Sequence, residues 1–430
     1  MTKAEKIKNT LKETKERRKN QVCRSYLVKV DMSHLSRQKL EQLNRLFLEA
    51  KWFYNYAIAN DPFELDHKIS SVAVKVGEKF EERELSIISS QIKQEILHDI
   101  RSSIINLSRK KANGYKIGRL KFKSYIRSIP LKQFENTYKI LDGKYVKIQN
   151  IKGKIRVNGL KQIPEYTEMA NARLICKHGD YFLRIVTYTS KSDLAEEDRK
   201  KGRAAPVDNS AIGLDFGIRQ QMTFSNRVSI EYDIQLTKRL KKLYQQLSRA
   251  QKSSKNRQKI ILKIQKEYER ICSRKADIRN KIVSYLKHNY QIICYQEDSL
   301  KAWQRVYGKK VMDTAIGEIM SALEERTHTP VAVDRLFLST KRCSVCGNIK
   351  DMQLSDRVYI CEKCGSVMDR DHNAAVNILY EGLSRVPAER RELKPVETLA
   401  SALKMLEYFR AIPHVRASLV CEAGSLTASA

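Results

Sequence analysis

Residues 211–226 read AIGLDFGIRQQMTFSN. Apolar residues flank Asp215 on both sides, so the run predicts a central strand buried on both faces, followed by a second strand. A carboxylate in such a strand is costly unless it is paired or binds a metal, although a satisfied core acid is the plain alternative. Further along, QIICYQE (291–297) is another buried strand, and Glu297 ends it as an acid at a strand terminus. A helix at 313–328 and a strand at 330–337 follow, so this half of the chain is expected to be α/β.

Two motifs come next. Residues 343–365 read CSVCGNIKDMQLSDRVYICEKCG, a C-x2-C-x14-C-x2-C pattern with a glycine after each pair that lets the backbone turn. Cys343, Cys346, Cys361 and Cys364 therefore predict a tetrahedral Zn²⁺ site, structural because every ligand is a protein thiolate. Cys23, Cys176, Cys272, Cys294 and Cys421 are scattered and read as buried thiols. Residues 369–378, DRDHNAAVNI, place two aspartates around an arginine at the start of a helix, whose amide dipoles favour an ionised carboxylate there. An N-cap aspartate is the ordinary reading, and local physics leaves open whether Asp369 or Asp371 has another task.

The chain has 430 residues, enough for two or three domains. Its 82 Lys and Arg against 49 acids give a formal charge of +33, so a polyanion, nucleic acid first, is the expected partner. Residues 231–290, a long helical stretch with leucines at 236, 240, 243 and 247, hold seventeen basic and five acidic residues, a net of +12 that favours a phosphate-facing surface. No run is long enough to cross a membrane. The first twenty residues carry eight basic and three acidic side chains without a signal peptide's apolar centre, which implies an intracellular location.

Ahead of residue 211 the texture changes twice. A strand from Cys23 leads into helical patterns up to about residue 117. Short β-prone runs over 118–190 then suggest a small barrel, with a hairpin signal at His178-Gly179-Asp180. Residues 191–210 read as a linker. Three acids on so basic a protein make sense as a divalent-cation site that cuts phosphodiesters, with two Mg²⁺ held by Asp215, Glu297 and an acid of the 369–378 stretch.

Taken in order, IGLDFGI, YQEDSL, the paired cysteines and DRDHNAAVNIL resemble the split RuvC nuclease domain with inserted zinc ribbon of TnpB proteins, transposon-encoded RNA-guided nucleases related to type V CRISPR effectors. EAKWFYNYAI, LKFKS and the basic LSRAQKSSKNRQK are similar too. The resemblance implies a multidomain α+β and α/β architecture: a wedge β-barrel with an inserted helical recognition module, then an RNase H-like RuvC domain. The implied divisions are a basic arm (1–20), the first wedge strand (21–35), the recognition module (36–117) and the rest of the wedge barrel (118–190). After the linker come the first RuvC part (211–335), the zinc ribbon (336–366), the last RuvC part (367–385) and a tail (386–430). It selects Asp371 as the last catalytic acid, with Asp215 and Glu297 in the other roles.

It also implies a structured guide RNA, a double-stranded DNA target read beside a short motif, Mg²⁺-dependent cleavage of both strands, and a prokaryotic cytoplasm with nucleoid association on DNA. A compact CRISPR effector, a nuclease-inactive repressor and an unguided transposase-like protein are the rival readings. Lys121, Lys123, Lys255 and Arg257 are the expected phosphate contacts. The basic arm and Asn280, where the family has a histidine, are departures.

Overall fold

A computed structural model describes residues 3–200, 210–232, 234, 237–353, 355–387 and 399–420. The chain divides into two compact units, Met1–Lys201 and Gly202–Ala430.

The first unit opens with helix α1 (Lys3–Lys19), the form the basic arm takes. Strand β1 (Gln21–Val30) follows, and Ser36 caps α2 (Arg37–Ala59), whose Leu43, Leu46, Phe47, Ala50 and Phe53 recur at helical spacing and are buried. The helical module also contains a β-hairpin, β2 (Ser71–Val76) and β3 (Lys79–Glu84), before Ser89 caps α3 (Ser90–Ala112). Its alternation was hidden by charge: Lys79–Glu84 is almost wholly exposed.

Four short strands and two long ones come next: β4 (Ser128–Leu131), β5 (Tyr138–Leu141), β6 (Tyr145–Ile148), β7 (Ile155–Asn158), then β8 (Glu168–Lys177) and β9 (Asp180–Ser190). With β1 they form one antiparallel sheet in the order β4-β8-β9-β1-β7-β6-β5. Its edge strands β4 and β5 are joined by residues 132–137 alone, which curls the sheet into a nearly closed, barrel-like form. The turn between β8 and β9 falls at His178 and Gly179, both with positive φ, as the hairpin signal required. Two expectations change. Residues 119–127, including LKFKS, form no strand, and 191–200, expected as linker, form helix α4 (Lys191–Lys200) with Leu194 buried; residues 201–209 lie outside the described residues.

The second unit is built on a six-stranded mixed sheet. Strands β10 (Ala211–Phe216) and β11 (Met222–Phe224) are the two that the quoted opening stretch implied, and β11 pairs antiparallel with β10 and with the next strand, β12 (Val228–Tyr232). A helical pair, α5 (Lys238–Arg249) and α6 (Lys255–Asn289), leads to β13 (Ile292–Gln296), which pairs parallel with β10. Leu236 of the leucine series lies outside the described residues. Helices α7 (Leu300–Tyr307), α8 (Lys309–Thr314) and α9 (Ile316–Arg326) precede β14 (Thr329–Val333), parallel to β13. The ribbon contributes β15 (Val358–Ile360) and β16 (Val367–Asp369), and α10 (Arg370–Ser384) follows at once. The tail is structural: α11 (Leu399–Arg410) packs into the core, and β17 (Val415–Leu419) joins the sheet beside β12.

Gly213 and Gly382 set the approach of α10 to the sheet. A Cβ on Gly213 would sit 2.2 Å from the carbonyl of Ala375, and one on Gly382 would sit 2.4 Å from Cys294 Sγ. Only glycine admits that contact, with Ala374 and Ala375 buried beside it. Helix α10 therefore lies directly on β10 and β13, and its first turn comes to the end of β10 that carries Asp215.

Candidate functional site: an acidic cavity beside a four-cysteine knuckle

The two aspartates have different partners, and Asp369 takes the ordinary N-cap role on α10. Its Oδ1 accepts the backbone N–H groups of Asp371 and His372, each at 2.9 Å. Asp371 is thereby left to another partner. Its Oδ1 accepts from Arg370 Nε and Nη2 at 3.1 and 3.0 Å, and Arg357 of the ribbon stands 3.6 Å from its Oδ2.

Asp215 and Asp371 line one cavity of about 980 Å³. Of the two acids that follow β13, Asp298 lines it as well; Glu297 is exposed and does not. Alternation along β13 explains this. Cys294 faces α10 with Gly213 and Asp215, Tyr295 faces the opposite core, and beyond the strand Asp298 falls on the side of Asp215. Glu297 lies close enough to Tyr295 to help push its phenol up, after burial and Glu324. Sequence reasoning named Glu297 and not Asp298 because two adjacent acids end the strand and only the register distinguishes which one lines the cavity.

The acids oppose one another electrostatically. Burial, then the charges of Asp371 and Asp298, hold the Asp215 carboxyl well above its ordinary range, with Arg370 pulling it back and Asp369 adding to the rise. Burial pushes Asp298 up to about 6. Glu231 and Asp313 also line the cavity, but neither is among the charges that perturb Asp215. Around the acids stand Arg219, Lys241, Lys310 and Arg416, with Trp303 and Tyr307 four residues apart on α7.

The four cysteines come together beside this cavity. Their Sγ atoms all lie within 4.8 Å of one another, with Cys343–Cys364 at 3.7 Å and Cys346–Cys361 at 3.5 Å. Sulfurs at the corners of a tetrahedron around Zn²⁺ with Zn–S bonds of about 2.3 Å would be about 3.8 Å apart, so the knuckle fits a structural zinc ion.

The expected phosphate contacts fare differently. In the first unit Lys121 and Lys123 line a second cavity of about 900 Å³ with Arg119, Arg127 and Tyr125. Lys123 is engaged there: its Nζ lies 3.8 Å from the ring centre of Tyr54, burial holds its pKa down, and Asn55 bonds its backbone at both N and O. In the second unit Lys255 is exposed at the start of α6, whereas Arg257 donates to the carbonyls of Leu247 and Ala250 and closes the turn between α5 and α6.

The fold and site thus define a mixed α/β protein with a carboxylate cavity whose last acid follows directly from a zinc-fitting ribbon. Two families match this chain, one described as a probable transposase over residues 190–297 and one as a Cas12f1-like TNB domain over residues 319–378. A putative RNA-guided DNA endonuclease of Streptomyces pristinaespiralis is 32% identical over 190 residues, 42% of this chain and 47% of that protein. TnpB-like protein L79 of Acanthamoeba polyphaga mimivirus is 28% identical over 201 residues, 41% of this chain and 38% of that protein. The chain spans less than half the length of these curated relatives. A chain from the cryo-EM structure of a Cas12f1–sgRNA–target DNA complex aligns at TM-score 0.44 and 13% identity, covering 84% of this chain and 99% of that one. Over the matched regions the chain is similar to TnpB-like proteins, as the motifs from IGLDFGI to DRDHNAAVNIL implied.

Proposed function

We propose that this protein is an RNA-guided DNA endonuclease with a single RuvC-type active site formed by Asp215, Asp298 and Asp371. The observation that carries the proposal is the meeting of Asp215, Asp298 and Asp371, from separate segments, in one cavity that also holds Glu231, Asp313 and several Arg and Lys side chains. Cations alone would bind a nucleic-acid backbone without cutting it, and acids alone would repel it. The pairing of strands is consistent with an RNase H-like domain, three antiparallel strands followed by parallel ones.

Three hard oxygen donors, two of them made reluctant to ionise by burial and, at Asp215, by the neighbouring acids as well, suit Mg²⁺. When bound, Mg²⁺ would supply Lewis-acid activation of water and stabilise the leaving oxygen, in a two-ion arrangement. The protein's own part is to hold the acids: β10 fixes Asp215, the end of β13 fixes Asp298, and the cap by Asp369 orients the turn that carries Asp371. Arg370 offsets part of their charge, and Arg357 is placed to meet a phosphate oxygen at the same point.

In this reading residues 211–335 and 367–385 form the nuclease, with the ribbon over 336–366 between them and α11 and β17 completing its sheet. The sheet and helices of residues 21–190 hold the guide and read a short motif beside the target, with Lys121 and the cavity around it as the contact surface. A structured RNA and double-stranded DNA are then the partners, in a prokaryotic cytoplasm. Among the described residues no helix is long and apolar enough to cross a membrane.

The test is to sequence the RNA that stays bound through a high-salt wash and to supply a plasmid matching its guide segment. Mg²⁺-dependent linear product, absent with chelator and in Asp215→Ala, supports the proposal. Guided binding without cleavage by the unaltered protein indicates a repressor, and no specific RNA indicates an unguided DNA-binding protein. A transposon-end or a repeat-derived guide separates a TnpB-like nuclease from a compact CRISPR effector.

A further inference from the structure

The asparagines of α10 join the ribbon to the acid cavity. Asn373, with 0% of its surface exposed, lies two residues beyond Asp371. Its Nδ2 donates to the carbonyl of Arg342 at 2.7 Å, and its Oδ1 accepts the backbone N–H of Ser344 at 2.9 Å. Arg342 and Ser344 flank Cys343, so one side chain grips the thiolate-bearing turn from both sides. Asn377, one turn further on, donates to the carbonyls of Ser339 and Arg342 at 2.8 and 2.6 Å. Ser339 donates its hydroxyl to Gln296 of β13 at 2.7 Å, and Gln296 donates to the carbonyl of Phe337 at 2.8 Å. On the return path, the backbone N–H of Arg370 donates to the carbonyl of Arg357 at 2.9 Å.

The ribbon is therefore bonded to the sheet and to α10 where it departs and where it comes back. A ribbon that served only to touch nucleic acid would need no more than a tether. A buried amide with donor and acceptor both engaged fixes orientation as well as position, and here it ties the Cys343 turn to the helical turn that carries Asp371.

We infer that Asn373 is a positioning residue through which the order of the four-thiolate knuckle sets the placing of Asp371, and with it the affinity of the acid cavity for a divalent cation. The inference rests on the proposed function only in taking that cavity as the cation site. Outer partners that orient metal ligands are typically worth about 10- to 100-fold in affinity or activity.

The test uses Mn²⁺ as the probe, its binding to the full chain followed by electron paramagnetic resonance, with zinc content and thermal melting measured on the same samples. Asn373→Ala removes both bonds. Asn373→Asp keeps the shape and the acceptor toward Ser344 but sets an oxygen against the Arg342 carbonyl, and it carries the test should the alanine variant not fold. Both are expected to raise the Mn²⁺ midpoint about 10-fold or more, and to raise the Mg²⁺ requirement for cleavage while guided DNA binding stays unchanged. Asn377→Ala, a turn further from Asp371, shifts the midpoint less. A midpoint in Asn373→Asp that is unchanged or lower overturns the inference, whether zinc is kept or lost. If the unaltered protein binds no Mn²⁺, or binds it no better than Asp215→Asn, the cation-site reading fails at its root and the inference falls with it.

Discussion

Asp369 and Asp371 sit on either side of Arg370, yet one carboxylate is spent on two backbone N–H groups and the other faces the cavity. Asp371→Ala is expected to abolish cleavage while guided binding survives, because recognition by base pairing is separate from the cutting chemistry. Asp369→Ala removes a cap worth about 1 kcal/mol and should slow cleavage less, as chemical denaturation and turnover measured together would show. The other adjacent pair gives a sharper contrast: Asp298→Asn should eliminate cleavage and Glu297→Gln should leave most of it, and the reverse order would return the role to Glu297. A pH effect follows from the same residue. Burial raises Asp298 to about 6, above its unfolded value, so ionising it costs folding free energy. Asp298 should therefore contribute a loss of stability to the metal-free protein as pH rises from about 4 to 6, so that Asp298→Asn gains relative to the unaltered protein when melting is compared at both ends of that window. Asp215 and Asp371 were legible as buried-strand and helix-start acids, but choosing Asp371 required the family motif. That Asp298 rather than Glu297 lines the cavity was not legible, since a single residue of register decides it.

At the level of elements, the site depends on how closely α10 lies against β10. Gly213→Ala forces a methyl into the Ala375 carbonyl and should cost about 1–3 kcal/mol, with loss of cleavage beyond what the lower melting temperature explains. Cys343→Ser or stripping of zinc should disorder the ribbon and lower cleavage, while zinc-free protein at full activity would show that the ribbon does not brace the site. The buried strands and the cysteine knuckle were readable because both rest on short-range pattern: apolar neighbours on both sides of Asp215 and fixed spacing of thiols. The hairpin at 71–84 was missed because its second strand is mostly charged and exposed. LKFKS misled because a β-prone composition lies in a segment whose backbone is held by Asn55 rather than by a neighbouring strand. The contribution of β17 depends on pairing with β12 from far along the chain, which no local pattern encodes.

For the whole molecule, a net charge of +33 coexists with a cluster of acids in the second unit. The surplus should make retention of nucleic acid fall steeply with salt, but a structured guide should resist a wash that removes bulk RNA. Lys121→Ala is expected to weaken that retention, whereas Arg257→Ala should act mainly by loosening the turn between α5 and α6 and show itself in melting. The central claim is tested most directly by incubating the purified protein and its retained RNA with a plasmid matching the guide, with Mg²⁺ or with chelator, beside Asp371→Ala. The account predicts linear plasmid only for the unaltered protein with Mg²⁺, while Asp371→Ala binds the same plasmid and leaves it intact. Equal cleavage by both proteins, or none by either, would contradict it.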